Sequence, residues 1–311
     1  MKIVFMGTPD FAAVSLERLY ADGHEILSVY TQPDKARKRG MKVVYTPVKE
    51  LALAHGTPVF QPVSLREESV VSALRDTRCD LIAVVAYGKL LPGDMLTIPP
   101  LGCINIHGSL LPKYRGAAPV HRAVLNGDTE TGVTSQYMTE EIDAGDILLT
   151  KKTAIGKTET AEDLYNRLGA LGAALLSETI DALSLGIAVR VPQNSAEATY
   201  APSLTKDMSP IDWTRPAVEI ERSIRGLQPW PVATAQIGGI VCKVFSAEIV
   251  AKSAGEEPGT IVFADRSGIA IACADAVILI RETQAPGGRR MTAAEYLRGH
   301  PAIRSLLHDS P

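Results

Sequence analysis

Aromatic residues are scarce in this chain, 5% of 311 residues, so the interior has to be built from Val, Ile, Leu and Ala. Cysteine is scarce as well: the four thiols stand at 79, 103, 242 and 273, with no Cys-x-x-Cys pair. That spacing fits neither a zinc framework nor a redox motif, and it points to reduced core cysteines in a cytosolic protein. Neither sign of charge dominates, since 32 Lys plus Arg face 35 Asp plus Glu for a net charge of -3. Such a balance excludes a strongly basic packaging protein for nucleic acid, and still allows a local basic patch that meets nucleic acid briefly. No apolar run of about 18 residues is present, so no membrane-spanning segment is expected. The apolar stretch before Gly7-Thr8-Pro9 is too short for a secretory leader, and it is neither Arg-rich nor Ser-rich like a transit peptide. A cytoplasmic protein is the expectation. With 46% hydrophobic and 22% charged residues, the length suits two packed domains rather than one.

The first half alternates between strand and helix patterns. KIVFM at 2–6 is a short apolar run, and Asp10 is placed to cap a helix carrying Phe11, Val14, Leu16 and Leu19. HEILSVYT at 24–31 reads as a second strand, and the polar, basic stretch 32–46 as a loop. Pro47 opens a helix, where its missing N–H costs nothing, and 66–77 suggests another. DLIAVVA at 80–86 and CINIH at 103–107 are continuously apolar, as strands covered on both faces are. Strands separated by helices imply parallel βαβ units in a doubly wound sheet. GVTSQYM at 132–138 and DILLT at 146–150 read as later strands of that sheet. Leu164, Leu168, Leu171, Leu175 and Leu183 recur at helical spacing and predict a long closing helix over 160–185. The stretch 190–212 lacks periodicity and holds three prolines, so it reads as a connection between domains. Beyond a helix at 216–226, short glycine-punctuated strands predict a small antiparallel β-barrel, with a helical tail at 292–306. The fold class is therefore α/β, a doubly wound, Rossmann-like parallel sheet followed by a small OB-like barrel.

Chemistry concentrates at 103–119, CINIHGSLLPKYRGAAP, just beyond the end of an apolar strand, where open α/β sheets bind ligands. Asn105 and His107 are two apart, so both point to one face of the strand. An amide and an imidazole there can stabilise the oxyanion of a carbonyl under attack. The same two residues also fit a structural reading, Asn105 closing a turn and His107 a buried, hydrogen-bonded histidine. Asp143, in EEIDAGD between two predicted strands, can orient His107 or relay protons through water; it also fits as the turn residue before Ala144-Gly145. Glu140, Glu141 and Asp146 read as solvated loop charges. KARKRGMK at 35–42 places Lys35, Arg37, Lys38, Arg39 and Lys42 together without an acid, which suits a phosphate backbone as well as a solvated surface loop. A Gly-x-Gly-x-x-Gly fingerprint is absent after the first strand, which argues against a standard dinucleotide site. The remaining histidines have no metal-ligand spacing, and no metal is expected.

These pieces together resemble the methionyl-tRNA formyltransferase family almost end to end. The resemblance is carried by MGTPDFA at 6–12, QPD at 32–34, PVK at 47–49, YGKLLP at 87–92, NIHGSLLPKYRGAAP at 105–119, MTEEIDAGDIL at 138–148 and IRGLQPWPVA at 224–233. It implies transfer of a formyl group from 10-formyltetrahydrofolate to the amino nitrogen of methionine on initiator tRNA, the step that prepares translation initiation, with no metal or redox cofactor. Asn105, His107 and Asp143 match the family's catalytic positions. Ser109, Leu110, Leu111 and Pro112 match its folate-site segment, and the basic loop matches the insertion that grips the tRNA acceptor arm. By the same resemblance, residues 1–189 form the formyl-transfer domain, 190–205 a linker and 206–311 a barrel offering a second tRNA surface. That last segment holds as many acidic as basic residues, so a tRNA-facing patch there requires segregation of charge. The basic loop departs from the family in reading Ala36-Arg37-Lys38 where Pro-Ala-Gly is common. A monomer with no obligate protein partner is expected. Nucleotide-sugar amine formyltransferases and formyltetrahydrofolate hydrolases share the NxHGSLLP segment or the catalytic trio, and are expected to lack the basic insertion.

Overall fold

A computed structural model describes residues 1–36, 43–252, 255–301 and 303. The chain forms two compact units, one made of Met1–Pro119, Glu130–Ala154 and Leu164–Ala201, the other of Val120–Thr129, Ile155–Asp163 and Pro202–Pro311.

In the first unit the elements run β1 (Lys2–Gly7), α1 (Asp10–Ala21), β2 (Glu25–Tyr30), β3 (Lys35–Ala36), β4 (Val43–Val44), α2 (Pro47–Ala54), β5 (Val59–Phe60), α3 (Glu68–Asp76), β6 (Leu81–Val85), α4 (Gly93–Leu96) and β7 (Cys103–His107). After α5 (Pro119–Asn126), which from Val120 on belongs to the second unit, come β8 (Glu130–Tyr137), β9 (Ile147–Ala154) and α6 (Ala161–Ser184). Seven strands make one sheet in the order β5-β2-β1-β6-β7-β8-β9. The first five of that order are parallel, and β8 and β9 add antiparallel at one edge. Strand order reverses between β1 and β6, and that reversal opens the crevice where such sheets take ligands.

Local chemistry accounts for the elements. β6 is buried at every position, as its unbroken Val/Ile/Leu run requires for a central parallel strand. Thr46 caps α2 by accepting from the Lys49 amide at 3.2 Å, with Pro47 at the first helical position. The cap expected at Asp10 is not made: Pro9 stands at that position and Asp10 is the first helical residue, where its charge still favours the positive end of the helix. Gly7 allows the turn from β1 into α1, because a Cβ there would lie 2.6 Å from the Ala12 Cβ and 2.9 Å from the Val85 carbonyl. The predicted leucine stripe of α6 faces inward, with Leu164, Leu168, Leu175 and Leu183 buried and Leu171 half-buried.

The stretch read as a connection behaves differently up to Ala201, where it is part of the first unit. Val191 exchanges backbone hydrogen bonds with Ile147 at 2.8 and 2.9 Å, and the Ala201 amide donates to the Arg115 carbonyl at 2.7 Å. Isolated bridges of this kind leave no periodic pattern, so they cannot be read from hydrophobic spacing.

The second unit contains α7 (Ala217–Gly226), β10 (Thr234–Ile237), β11 (Ile240–Lys252), β12 (Ile261–Asp265), β13 (Gly268–Ala272), β14 (Ala276–Gln284), β15 (Met291–Thr292) and α8 (Ala293–Gly299). The small barrel expected here is a curled antiparallel sheet in the order β10-β11-β14-β13-β12, with β15 added to β14. Ile220 and Ile224 of α7 and Tyr296 and Leu297 of α8 share one core with Ile269, Ile271, Ile278 and Ile280 of the sheet. The cysteines at 79, 103, 242 and 273 are all free and buried.

Candidate active site

The site is built at the carboxyl end of β7. Asn105 is half-buried there, and its side-chain amide has no hydrogen-bond partner among the described residues. Two residues on, His107 is buried, and its Nε2 lies 2.8 Å from the Tyr114 carbonyl oxygen. A carbonyl only accepts, so Nε2 carries a proton, and Nδ1 is the nitrogen left to face another partner. Nδ1 faces Asp143, whose Oδ2 is 3.5 Å away. The structure thus brings the three predicted residues together, although Asp143 is far from the other two in sequence.

Asp143 is held from several sides. Its Oδ2 accepts from the Gly116 amide at 2.8 Å and its Oδ1 from Gln136 Nε2 at 3.0 Å. Gln136 is buried on β8 directly opposite Asn105. The backbone of Asp143 is left-handed, with φ of +51°, a conformation that Asp tolerates better than most residues. Two residues on, a Cβ at position 145 would lie 1.8 Å from the Tyr137 carbonyl oxygen, so only glycine lets the turn close. Glu141 and Asp146, read as solvated charges, each have a cationic partner: Arg115 Nη1 is 3.4 Å from Glu141, and Arg190 Nε is 3.0 Å from Asp146.

The segment 109–112 is a tight internal turn. Ser109 is buried and its hydroxyl donates to the Lys113 carbonyl at 2.6 Å. Thr134 Oγ1 donates to the Ser109 carbonyl at 2.7 Å and accepts from the Leu111 amide at 3.2 Å. Leu111 is buried as well, whereas Leu110 and Pro112 remain partly exposed. These four residues therefore do not share one open face. Their hydrogen bonds hold the chain that follows His107.

At the crevice between β1 and β6, Thr8 Oγ1 and Gln32 Nε2 both donate to the Tyr87 carbonyl, at 3.1 and 3.0 Å. Tyr87 itself is buried, and burial, with a smaller effect from Tyr30, pushes its phenol up to about 12. Close by in sequence, Asp34 forms an ion pair with Lys49, whose Nζ also donates to Gln61 Oε1 at 2.7 Å. Gln61 Nε2 returns to Asp34 Oδ1 at 2.9 Å. Burial raises the Asp34 carboxyl, but the hydrogen bonds from Lys49 and Gln61 and the Lys49 charge outweigh it, so the group sits below the ordinary carboxylate value. This knot fastens both ends of the basic segment, whose strands β3 and β4 pair antiparallel. Arg37, Lys38, Arg39 and Lys42 lie outside the described residues, and so does the side chain of Lys35. Among the described residues no cluster of His, Cys, Asp and Glu could hold a metal ion.

Sequence reasoning missed Gln136, Gln193 and the buried Arg115. The pairing of β7 with β8 was a signal for Gln136, since it sets Gln136 opposite Asn105. Gln193 had none, because it stands in a stretch without periodicity.

The family described as formyl transferase matches residues 1–180, and formyl transferase, C-terminal domain, matches residues 203–301. The methionyl-tRNA formyltransferase of Alkaliphilus oremlandii is 46% identical over 300 residues, 96% of this chain and 97% of that protein. That of Trichlorobacter lovleyi is 45% identical over 307 residues, 98% of this chain and 96% of its own length. Two solved structures share the fold at low identity. HypX from Aquifex aeolicus in complex with tetrahydrofolic acid matches 96% of this chain and 47% of its own, with TM-score 0.63 and 18% identity. WlaRD, a sugar 3N-formyl transferase, matches 92% of this chain and 97% of its own, with TM-score 0.66 and 19% identity. Matched along both of its units, and close to half identical to proteins of the same length, the chain belongs to the methionyl-tRNA formyltransferase family.

Proposed function

We infer that this chain transfers the formyl group of 10-formyltetrahydrofolate to the α-amino group of methionine carried by initiator tRNA. Within the family it belongs to, the observation that carries the chemistry is the uncommitted Asn105 amide, two residues along β7 from His107 and its Asp143 partner. That set fits a formyl donor, because an amide N–H suits a carbonyl oxygen and an imidazole beside a carboxylate suits proton transfer. When bound, the folate supplies an electrophilic formyl carbon and a nitrogen leaving group. Asn105 donates to the formyl oxygen, whose negative charge grows as the amine adds; one such donor is commonly worth about 2.7–4 kcal/mol. His107 Nδ1 and Asp143 Oδ2 stand 3.5 Å apart, a pair between which a proton can be held. The amine gives up its proton to that pair, and the pair returns it to the leaving nitrogen. Help of this kind contributes about 10²–10⁴-fold. Ser109, Leu110, Leu111 and Pro112 are assigned to the folate side of the site, with Leu110 and Pro112 offering the exposed apolar surface.

The direct test is formylation of charged initiator tRNA by the purified chain, with charged elongator tRNA as control. Formate release with no formylated tRNA would reject this reading in favour of folate hydrolysis. Lys35, Arg37, Lys38, Arg39 and Lys42 are assigned to the tRNA phosphates. Neutralising Lys35, Arg37, Lys38 and Arg39 together is expected to raise the KM for tRNA and to lower the salt slope of binding by about 0.7–0.9 per lost contact. An unchanged slope removes the loop from the tRNA interface. The enzyme is assigned to the cytoplasm as a monomer, which sedimentation of the purified chain checks.

A further inference from the structure

Asp143 is aimed by a chain of amides whose direction is set at a distance. Arg115 is buried, and its guanidinium can only donate. Its Nε and Nη2 reach the Oε1 of Gln193 at 3.1 and 2.9 Å, a two-pronged contact. Oε1 must therefore face Arg115, and the Gln193 NH2 must face the other way. There it meets three acceptors: the Asp143 carbonyl at 2.9 Å, the Gly145 carbonyl at 2.7 Å and Gln136 Oε1 at 3.1 Å. Because Gln136 presents its oxygen to Gln193, its own NH2 is turned toward Asp143 Oδ1. Each amide leaves the next only one orientation. Reversing any one of them would set donor against donor or acceptor against acceptor, which is costly beside the buried Arg115 and Gln136.

We propose that Gln193 is a positioning residue for the formyl-transfer reaction: it transmits the donor polarity of Arg115 to Gln136 and gathers the two carbonyls of the Asp143–Gly145 turn, so that the Asp143 carboxylate faces His107 Nδ1. The proposal rests on the role assigned to Asp143 above. Gln193 touches no reacting atom in this arrangement. Its effect lies in the distance and direction of a carboxylate that stands 3.5 Å from the imidazole.

The experiment compares the wild-type chain with Gln193→Met and Gln193→Glu in steady-state formylation of initiator tRNA, each alone and in the Asp143→Asn background, with melting followed in parallel. Gln193→Met keeps length but offers no hydrogen bonds. The expected loss in kcat is about 10²-fold, the usual consequence of a reacting group displaced by an ångström, with KM for the folate and the tRNA within about twofold of wild type. Gln193→Glu keeps the contact to Arg115 but turns an acceptor toward two carbonyls and the Gln136 oxygen. It is expected to fall below Gln193→Met in kcat, whereas a merely structural role would rank it above. In the Asp143→Asn background either change should add less than about twofold. Wild-type kcat in Gln193→Glu, or losses that multiply with those of Asp143→Asn, overturn the proposal. Should Gln193→Met fail to fold, Gln193→Glu carries the test, and unfolding of both marks a scaffold role and overturns it. Absence of formylation by the wild-type chain would instead reject the function assigned above.

Discussion

Asn105→Ala is expected to lower kcat by about 10²–10³-fold while the protein folds and binds both substrates as before. The reason lies in what the side chain does in the resting structure, which is very little. Its amide has no hydrogen-bond partner among the described residues and is half-buried, so removing it breaks no hydrogen bond among them. On the proposed mechanism, what is lost is a donor that finds its acceptor only when a formyl oxygen gains charge. His107→Ala should cost at least as much, since it removes the nitrogen that faces Asp143. That variant also frees the Tyr114 carbonyl from its 2.8 Å hydrogen bond, so a modest drop in melting temperature accompanies the kinetic loss. Steady-state kinetics at saturating folate and tRNA decides the matter. Near wild-type turnover in either variant removes that residue from the chemistry.

The second large effect is expected at Asp143. Asp143→Asn preserves shape and removes charge, and the surroundings cannot adapt to it. The carboxylate accepts on both oxygens, from the Gly116 amide at 2.8 Å and from Gln136 Nε2 at 3.0 Å. A carboxamide has one oxygen, so whichever way it turns, its NH2 confronts another N–H. Gln136 cannot relieve the conflict by turning over, because Gln193 then meets it donor to donor. The expected outcome is a loss of about 10²–10⁴-fold in kcat, from the missing proton acceptor. The unsatisfied donor is expected to cost about 1–3 kcal/mol of stability besides. Kinetics and thermal melting of the same preparation test both parts. A variant that melts like wild type and turns over within tenfold of it contradicts the assignment.

The parallel strands were legible because burial on both faces writes a continuous apolar run, and CINIH at 103–107 is β7 residue for residue. Asn105 and His107 were legible for a related reason, since two-residue spacing on a strand fixes a shared face. Asp143 was suggested by its turn and by family likeness. Its meeting with His107 depends on β8 lying antiparallel to β7, a topological fact that no local pattern carries. The supporting amides were the least legible. Gln193 reaches the site through a backbone bridge between Val191 and Ile147, outside any helix or strand of its own. The cap of α1 was misplaced for an opposite reason: Asp10 has the right chemistry, but the helix starts one residue earlier than a side-chain cap there would need.

The knot of Asp34, Lys49 and Gln61 has a consequence for how this enzyme can vary. It closes the chain at the base of the basic stretch with groups that belong to the flanking elements, not to the stretch itself. Asp34, Lys49 and Gln61 make that closure with one another, so a change of length or charge between β3 and β4 leaves these contacts in place. Closure cost grows only slowly with length, by about 0.6 kcal/mol for each doubling. The anchor and the span it closes can therefore vary separately, with the Asp34–Lys49–Gln61 contacts kept as the fixed part.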